Sequence, residues 1–188
     1  NEVQKEEWTK VKGRFQELVF IEPIEQLLYL ASTQIDASRT MQNDDSVIDS
    51  LASLAKKTGF VSQNFSEATA LALAPLEPFA AYVITQAIQR YGQNERSLFS
   101  FLNARGRNSL SEYEGKIYQL QCCYDYIYYN FYSYLKEANA DSMQWSSMQV
   151  AIERVEGQLW ETKTDLVDAI KLVKAIGLLN LFGNASFK

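Results

Sequence analysis

The sequence predicts an all-α fold, an irregular multi-helix bundle, from three observations. Apolar residues recur at steps of three and four along most of the chain, which is the repeat of one helix face. The apolar-polar alternation of strands is weak everywhere, and Pro and Gly stand between the periodic segments. With 188 residues, 47% apolar and 22% charged, the chain can bury a core as globular proteins do.

The N-terminal third predicts three helices in order. Residues 2–18 carry apolar positions on one helix face, and a second helix begins near Pro23 and runs to residue 35. After a polar loop, residues 44–57 place acids in the first turn and lysines in the last. This charge order complements a helix dipole, so a third helix is expected there.

The segment from 66 to 91 is apolar on most sides and contains Pro75 and Pro78. Because a proline removes an amide donor and crowds the preceding turn, we expect a break at Leu76–Glu77 and a buried helix from Pro78 onwards. Gly92 predicts the end of that helix, in a left-handed conformation.

The C-terminal half predicts further helices. Asn94 is a suitable N-cap for the helix that carries "SLFSFL", and Ser109 or Ser111 could cap one long aromatic helix, "EYEGKIYQLQCCYDYIYYNFYSYLKEA". Two or three helices follow in "DSMQWSSMQVAIERVEGQLW" and "KTDLVDAIKLVKAIGLLNLFG". A soft boundary at 137–142 divides the chain into a helical domain, 1–140, and a C-terminal module, 141–188.

Several chemistries are disfavoured by composition. The chain has no histidine, so it lacks imidazole acid–base catalysis, and its only cysteines, Cys122 and Cys123, are adjacent and lack zinc-site spacing. No phosphate loop of the GxxxxGK[ST] type is present. The net charge of −5 argues against a general nucleic-acid surface, although Arg105 and Arg107 form a small basic loop that could meet an anion or a DNA phosphate. We therefore expect no self-sufficient enzyme and no bound metal.

Three segments carry a resemblance to a known family: "WTKVKGRFQELVFIEPIEQLLYL", "RYGQNERSLFSFL" and "AIKLVKAIGLLNLFG". In this order, from Trp8 to Gly183, they resemble a region of large bacterial AAA+/STAND-like P-loop ATPases that accompany phage-defence or DNA-modification genes. The resemblance implies the helical lid of such an ATPase, followed by a helical module or the start of a winged-helix domain. The chain departs from the family at Glu77, where a histidine is expected before the proline, so no imidazole role carries over.

The resemblance implies candidate roles for three residues. Arg96 would lie near the terminal phosphates of a nucleotide, Pro78 would pack near the adenine, and Asn94 caps the helix that carries Arg96. The alternative is that Arg96 pairs with Glu95 or another acid and that the segment is only a tight turn between helices. ATP and Mg²⁺ are implied for the full-length protein, and none for this portion by itself.

Two functions are thus expected. The first is a non-catalytic helical portion of a larger ATPase that couples nucleotide state to a partner, or indirectly to DNA. A first residue Asn1 in place of Met favours this origin in a longer chain. The second is an all-helical interaction module or homo-oligomer without a nucleotide, for example one that associates through the tyrosine-rich segment 124–134. The absence of a leader and of a long apolar run predicts a cytoplasmic protein without membrane contact.

Overall fold

A computed structural model describes residues 23–35, 45–92, 98–103, 106–136 and 140–183. Within these ranges the chain is all-α and forms no β-strand, which confirms the predicted irregular multi-helix bundle. None of the helices in the described part is both long and apolar enough to cross a membrane. The helices are α1 (Ile24–Ser32), α2 (Asp45–Lys57), α3 (Glu67–Ala72), α4 (Pro78–Tyr91), α5 (Leu98–Asn103), α6 (Leu120–Asn130), α7 (Tyr132–Lys136), α8 (Ser142–Glu156) and α9 (Lys163–Phe182).

Local sequence signals explain where several of these helices begin and end. Lys56 and Lys57 lie in the last turn of α2, and Gly59 follows with φ of 69°, a conformation that favours glycine. The Ser66 hydroxyl accepts a hydrogen bond from the Thr69 amide, at 2.9 Å, and so caps α3. Pro78 occupies the first turn of α4, where its missing amide proton costs nothing. The predicted break before Pro78 is confirmed.

The bundle is organised around α4. Ten of its 14 residues are buried, and it contacts α1, α2, α5, α6 and α9. The last two helices, α8 and α9, pack against each other as an antiparallel hairpin, here called the C-terminal hairpin. The hairpin joins the bundle at its base, through contacts of α9 with α4 and α6 and of α8 with α7. Whether the chain divides into two domains near residue 140 stays a prediction.

A close approach holds the two hairpin helices together. A β-carbon at Gly177 of α9 would lie 2.2 Å from the Met148 sulfur of α8, so only glycine allows this spacing without a shift of the methionine. Met148 is buried, as is Leu178 beside Gly177. The helices of the hairpin therefore meet at a small residue packed under a flexible thioether.

Two local predictions are wrong. Gly92 is not left-handed, since its φ of −69° and ψ of 119° are extended, while its amide still donates to the Ile88 carbonyl at 2.8 Å. The long aromatic helix does not begin at Ser109 or Ser111. Residues 110–112 form only a 3-10 turn, α6 begins at Leu120, and a break at Phe131 separates α6 from α7.

A tertiary contact explains why the aromatic helix begins late. The Tyr118 amide donates to the Pro75 carbonyl at 2.7 Å, and the Glu77 amide donates to the Tyr118 carbonyl at 3.2 Å. Leu76 and Tyr118 therefore form an isolated parallel bridge. Extended backbone at Tyr118 is incompatible with a helix that passes through it, so the bridge sets the start of α6.

Candidate functional site

The N-terminal end of α4 is a buried junction with α6. Glu77 is the N-cap residue of α4, and its carboxylate accepts a hydrogen bond from the Leu120 amide at the first turn of α6. One side chain thus links the starts of two helices, where free amide protons favour an acceptor. Pro78, one residue further, is also buried.

The carboxyl group of Glu77 has an unusual pKa. Burial disfavours its charged form and raises the pKa of the carboxyl group to about 7, while the hydrogen bond from Leu120 acts in the opposite direction. Burial also raises the pKa of the thiols of Cys122 and Cys123, and the Cys123 thiol donates to the Ala80 carbonyl at 3.5 Å. Because a thiolate is the reactive form of cysteine, these thiols are poor nucleophiles and serve packing.

The C-terminal end of α4 meets the base of the hairpin. The Tyr91 hydroxyl donates to Asp141 Oδ2 at 2.7 Å and accepts from the Trp145 indole nitrogen at 3.2 Å. Arg90 forms an ion pair with the same Asp141 oxygen at 3.0 Å and lies over the Phe182 ring, 5.1 Å from its centroid. This polar network, named the hairpin junction, ties the last turn of α4 to the start of α8 and the end of α9.

The predicted site residues are only partly described. Asn94, Arg96 and Arg105 lie outside the described residues, so their roles stay predictions. Arg107 is exposed, and its guanidinium lies over the Tyr129 ring, 4.6 Å from the centroid. The structure thus places this cation against an aromatic ring at the surface, and its role toward an anion stays a prediction.

A groove lies at the base of the hairpin, here called the base groove. One wall comes from α6 and α7, with Tyr128, Leu135 and Lys136, and the other comes from α8, with Met143, Trp145 and Glu153. Its volume is about 540 Å³, which is within the roughly 300–1,000 Å³ of ordinary binding pockets. Met143 is 79% exposed at its rim. The groove offers aromatic and thioether surface with a cation at one end.

The opposite end of the hairpin presents apolar side chains to solvent. The turn between α8 and α9, residues 157–162 and named the tip, carries a fully exposed Leu159 and a partly exposed Trp160. Glu156 and Glu161 bracket these two side chains. Adjacent exposed apolar side chains rimmed by polar groups are a common feature of interaction sites.

Hydrogen bonds fix the conformation of the tip. The Gly157 amide donates to the Glu153 carbonyl at 3.0 Å, and the Trp160 indole nitrogen donates to the Val155 carbonyl at 2.8 Å. At the start of α9, the Thr162 hydroxyl accepts from the Asp165 amide at 3.1 Å, and the Asp165 carboxylate accepts from the Thr162 amide at 3.2 Å. Because of this capping box and the two hydrogen bonds to α8, Leu159 extends from an ordered turn.

The sequence did not predict two features of the hairpin that the structure shows, the hairpin junction and the tip. Asp141 and Trp145 were assigned only to a boundary and a helix, because their partners Arg90 and Tyr91 lie about fifty residues earlier. The tip had a readable signal in "EGQLWET", where apolar Leu-Trp interrupts an acidic turn after a helix. Glu77 was noted only as a departure from the resembled family.

The described residues contain no group of three or more Cys, Asp or Glu side chains arranged to hold a metal ion. Comparison with known proteins finds no family model, no curated protein and no solved structure that matches the chain. What the geometry offers is a buried helix joined at its C-terminal end to a hairpin with a groove and an apolar tip.

Proposed function

We propose that this chain is a non-catalytic helical portion of a larger ATP-binding protein of the AAA+/STAND-like type, and that it couples nucleotide state to the engagement of a partner. One observation carries the proposal: α4 runs from Pro78, which the resemblance assigns to the nucleotide side, to the hairpin junction at Arg90 and Tyr91. A helix of 14 residues is about 21 Å long. A displacement at one end would therefore reach the hairpin.

The packing of α4 suits such a role. Its buried residues contact helices on several sides, so it moves with its neighbours as a packed unit and does not bend alone. The hairpin junction combines an ion pair, two hydrogen bonds and an arginine over an aromatic ring. Networks of this kind have discrete arrangements, which allows them to transmit a change between two states.

The experiment uses the intact protein, with Arg96→Ala as the test variant and Arg154→Ala as its control. Arg154 is an exposed arginine on α8, remote from the start of α4, and its removal should leave turnover unchanged. Arg96→Ala should lower ATP turnover by roughly 10²- to 10³-fold because a fixed guanidinium stabilises charge that develops in the transition state. Unchanged turnover and unchanged melting temperature in Arg96→Ala would remove Arg96 from the site.

The 188-residue chain alone provides a second readout. Without a phosphate loop it should bind ATP feebly or not at all, because backbone amides of that loop supply most phosphate contacts. Isothermal titration with ATP and Mg²⁺ measures this directly. Micromolar affinity for ATP by this chain would contradict the proposal.

The tip favours a second candidate function. A fully exposed leucine on an ordered turn fits an all-helical interaction module that binds a protein through apolar contact, with no nucleotide involved. The two functions differ in what precedes the chain in its gene. Translation of the gene upstream of Asn1 shows a Walker A loop and an acidic Walker B strand under the first function and neither under the second.

A further inference from the structure

Glu77 is the one buried carboxyl group among the residues that the structure describes. Only 7% of its surface is exposed, and the other buried polar side chains in those ranges, Thr85 and Ser109, carry no charge. Acidic side chains are almost never buried without a cation, because the charged form loses its hydration. No ion pair within the described part of the chain involves Glu77. The start of α4 thus contains a buried carboxyl group without a compensating cation.

The titratable groups that face Glu77 do not supply a positive charge. They are Tyr113, from the segment before α6, and Cys122 and Cys123 of α6, and the charge of Glu77 acts on all three. Burial raises the pKa of each of these groups above its ordinary value, so each is uncharged between about pH 5 and pH 8. Neither α6 nor the segment before it therefore neutralises an ionised Glu77.

One further pair of charges lies where α9 packs on α6. Lys174 Nζ lies 2.6 Å from Asp125 Oδ1, and the two charges shift the pKa of Cys122 in opposite directions. The pKa of Glu77 itself is governed by burial and by the hydrogen bond from Leu120. Ionisation of Glu77 is therefore the charge change that these groups allow at the start of α4 near neutral pH.

Three hydrogen bonds close the junction between α4 and α6 over this carboxyl group. The Glu77 amide donates to the Tyr118 carbonyl at 3.2 Å, the Tyr118 amide donates to the Pro75 carbonyl at 2.7 Å, and the Leu120 amide donates to the Glu77 carboxylate. An ionised carboxylate can accept about four hydrogen bonds, and in the described structure this one accepts a single bond. Water can supply the others only when the junction opens.

We propose that Glu77 makes the junction between α4 and α6 a proton-operated switch. With a proton on the carboxyl group the junction stays closed, and without that proton it opens locally and admits water. The opening separates Leu120 from Glu77 and leaves the rest of the bundle folded, because α4 also packs against α1, α2, α5 and α9. Such a local opening costs less free energy than unfolding of the whole chain. Acidification therefore locks the end of α4 that carries Pro78.

Native-state hydrogen exchange of the 188-residue chain, followed by NMR at single amides, tests the switch. In the wild-type chain, the protection of the Leu120 amide, corrected for intrinsic exchange, should fall by roughly tenfold to a hundredfold from pH 5 to pH 8, because the pKa of Glu77 is about 7 in the closed junction. Glu77→Gln keeps an acceptor and cannot ionise, so its protection should stay constant. Glu67→Gln, at an exposed acid of α3, is the control and should behave as the wild type does.

Urea separates local opening from unfolding of the whole chain. Exchange through a local opening exposes little surface and changes little with urea, whereas exchange through global unfolding accelerates. At pH 8 the Leu120 amide of the wild-type chain should therefore be insensitive to urea up to about 1 M, while the amide of the buried Ile84 should respond.

Two results overturn the proposal. The first is a Leu120 amide that follows the urea dependence of Ile84 at pH 8, and this readout needs only the wild-type chain. The second is a fall in protection from pH 5 to pH 8 that is absent from the wild type or persists in Glu77→Gln. Circular dichroism confirms that each variant keeps its fold. These measurements involve no nucleotide, so they are independent of the ATPase proposal.

Discussion

The helices α4 and α9 have similarly apolar sequences and opposite surroundings. α4 buries ten of its 14 residues, whereas α9, with 20 residues, buries only Leu178 and Phe182. On α9, Leu172 and Ile176 are 62% and 56% exposed. The same local composition thus serves two purposes, since α4 forms the centre of the fold and the hairpin projects apolar surface outward. The two helices differ in how exposed their side chains are, and not in the types of side chain that they carry.

The largest expected effect contrasts one buried and one exposed residue of these helices. Ile84→Ala should lower the free energy of unfolding by about 3 kcal/mol, since Ile84 is fully buried on α4 and truncation leaves a cavity. Leu172→Ala on α9 should lower it by less than about 0.5 kcal/mol. Urea unfolding followed by circular dichroism measures both. Equal losses for the two variants would show that the hairpin is as tightly packed as the centre.

The second prediction concerns pH and the buried end of α4. The pKa of Glu77 is raised from 4.5 to about 7, so the folded state favours the protonated carboxyl. The raised pKa of Glu77 contributes to the free energy of unfolding, and this contribution is fully present below pH 4.5. It is lost as the pH rises through 7, by roughly 3 kcal/mol at most. Glu77→Gln keeps an acceptor for the Leu120 amide and should remove this loss. Unfolding at pH 5 and pH 8 checks the difference, and a wild-type stability loss that persists in Glu77→Gln would assign it to other groups.

The smallest effect tests the hairpin junction. Tyr91→Phe removes the hydroxyl that donates to Asp141 and accepts from Trp145, and it leaves the buried indole nitrogen without that acceptor. We expect a loss of about 1–2 kcal/mol in the free energy of unfolding. Tyr129→Phe, at an exposed tyrosine of α6, is the control and should have no measurable effect. A loss as small as that of the control would mean that the junction does not stabilise the hairpin.

The sequence predicted those helices whose ends are set locally. Lysines in the last turn of α2 and the position of Pro78 at the start of α4 are visible in a few neighbouring residues. The late start of α6 was not visible, because it depends on a backbone contact between Tyr118 and Pro75, more than forty residues apart. Gly92 likewise continues in extended backbone, although a helix-ending glycine is often left-handed.

The candidate site was less predictable than the fold. The tyrosine-rich segment 124–134 was considered as one association surface, but the structure divides it, with Tyr124 and Tyr126 buried and Tyr129 and Tyr132 exposed. The base groove joins residues of α6 and α7 to residues of α8, and no local pattern reports that convergence. Sites of this kind form from contacts between segments that are distant in the sequence.

The tip has a consequence for how the hairpin tolerates changes of sequence. Its closure depends on the Gly157 amide and on the reciprocal hydrogen bonds of Thr162 and Asp165, while Gln158 and Leu159 project outward. Substitution at these two outward positions therefore changes the exposed surface of the tip at little cost to the helices that carry it. A short foreign sequence can be grafted at the same place while the hydrogen bonds that close the turn are kept.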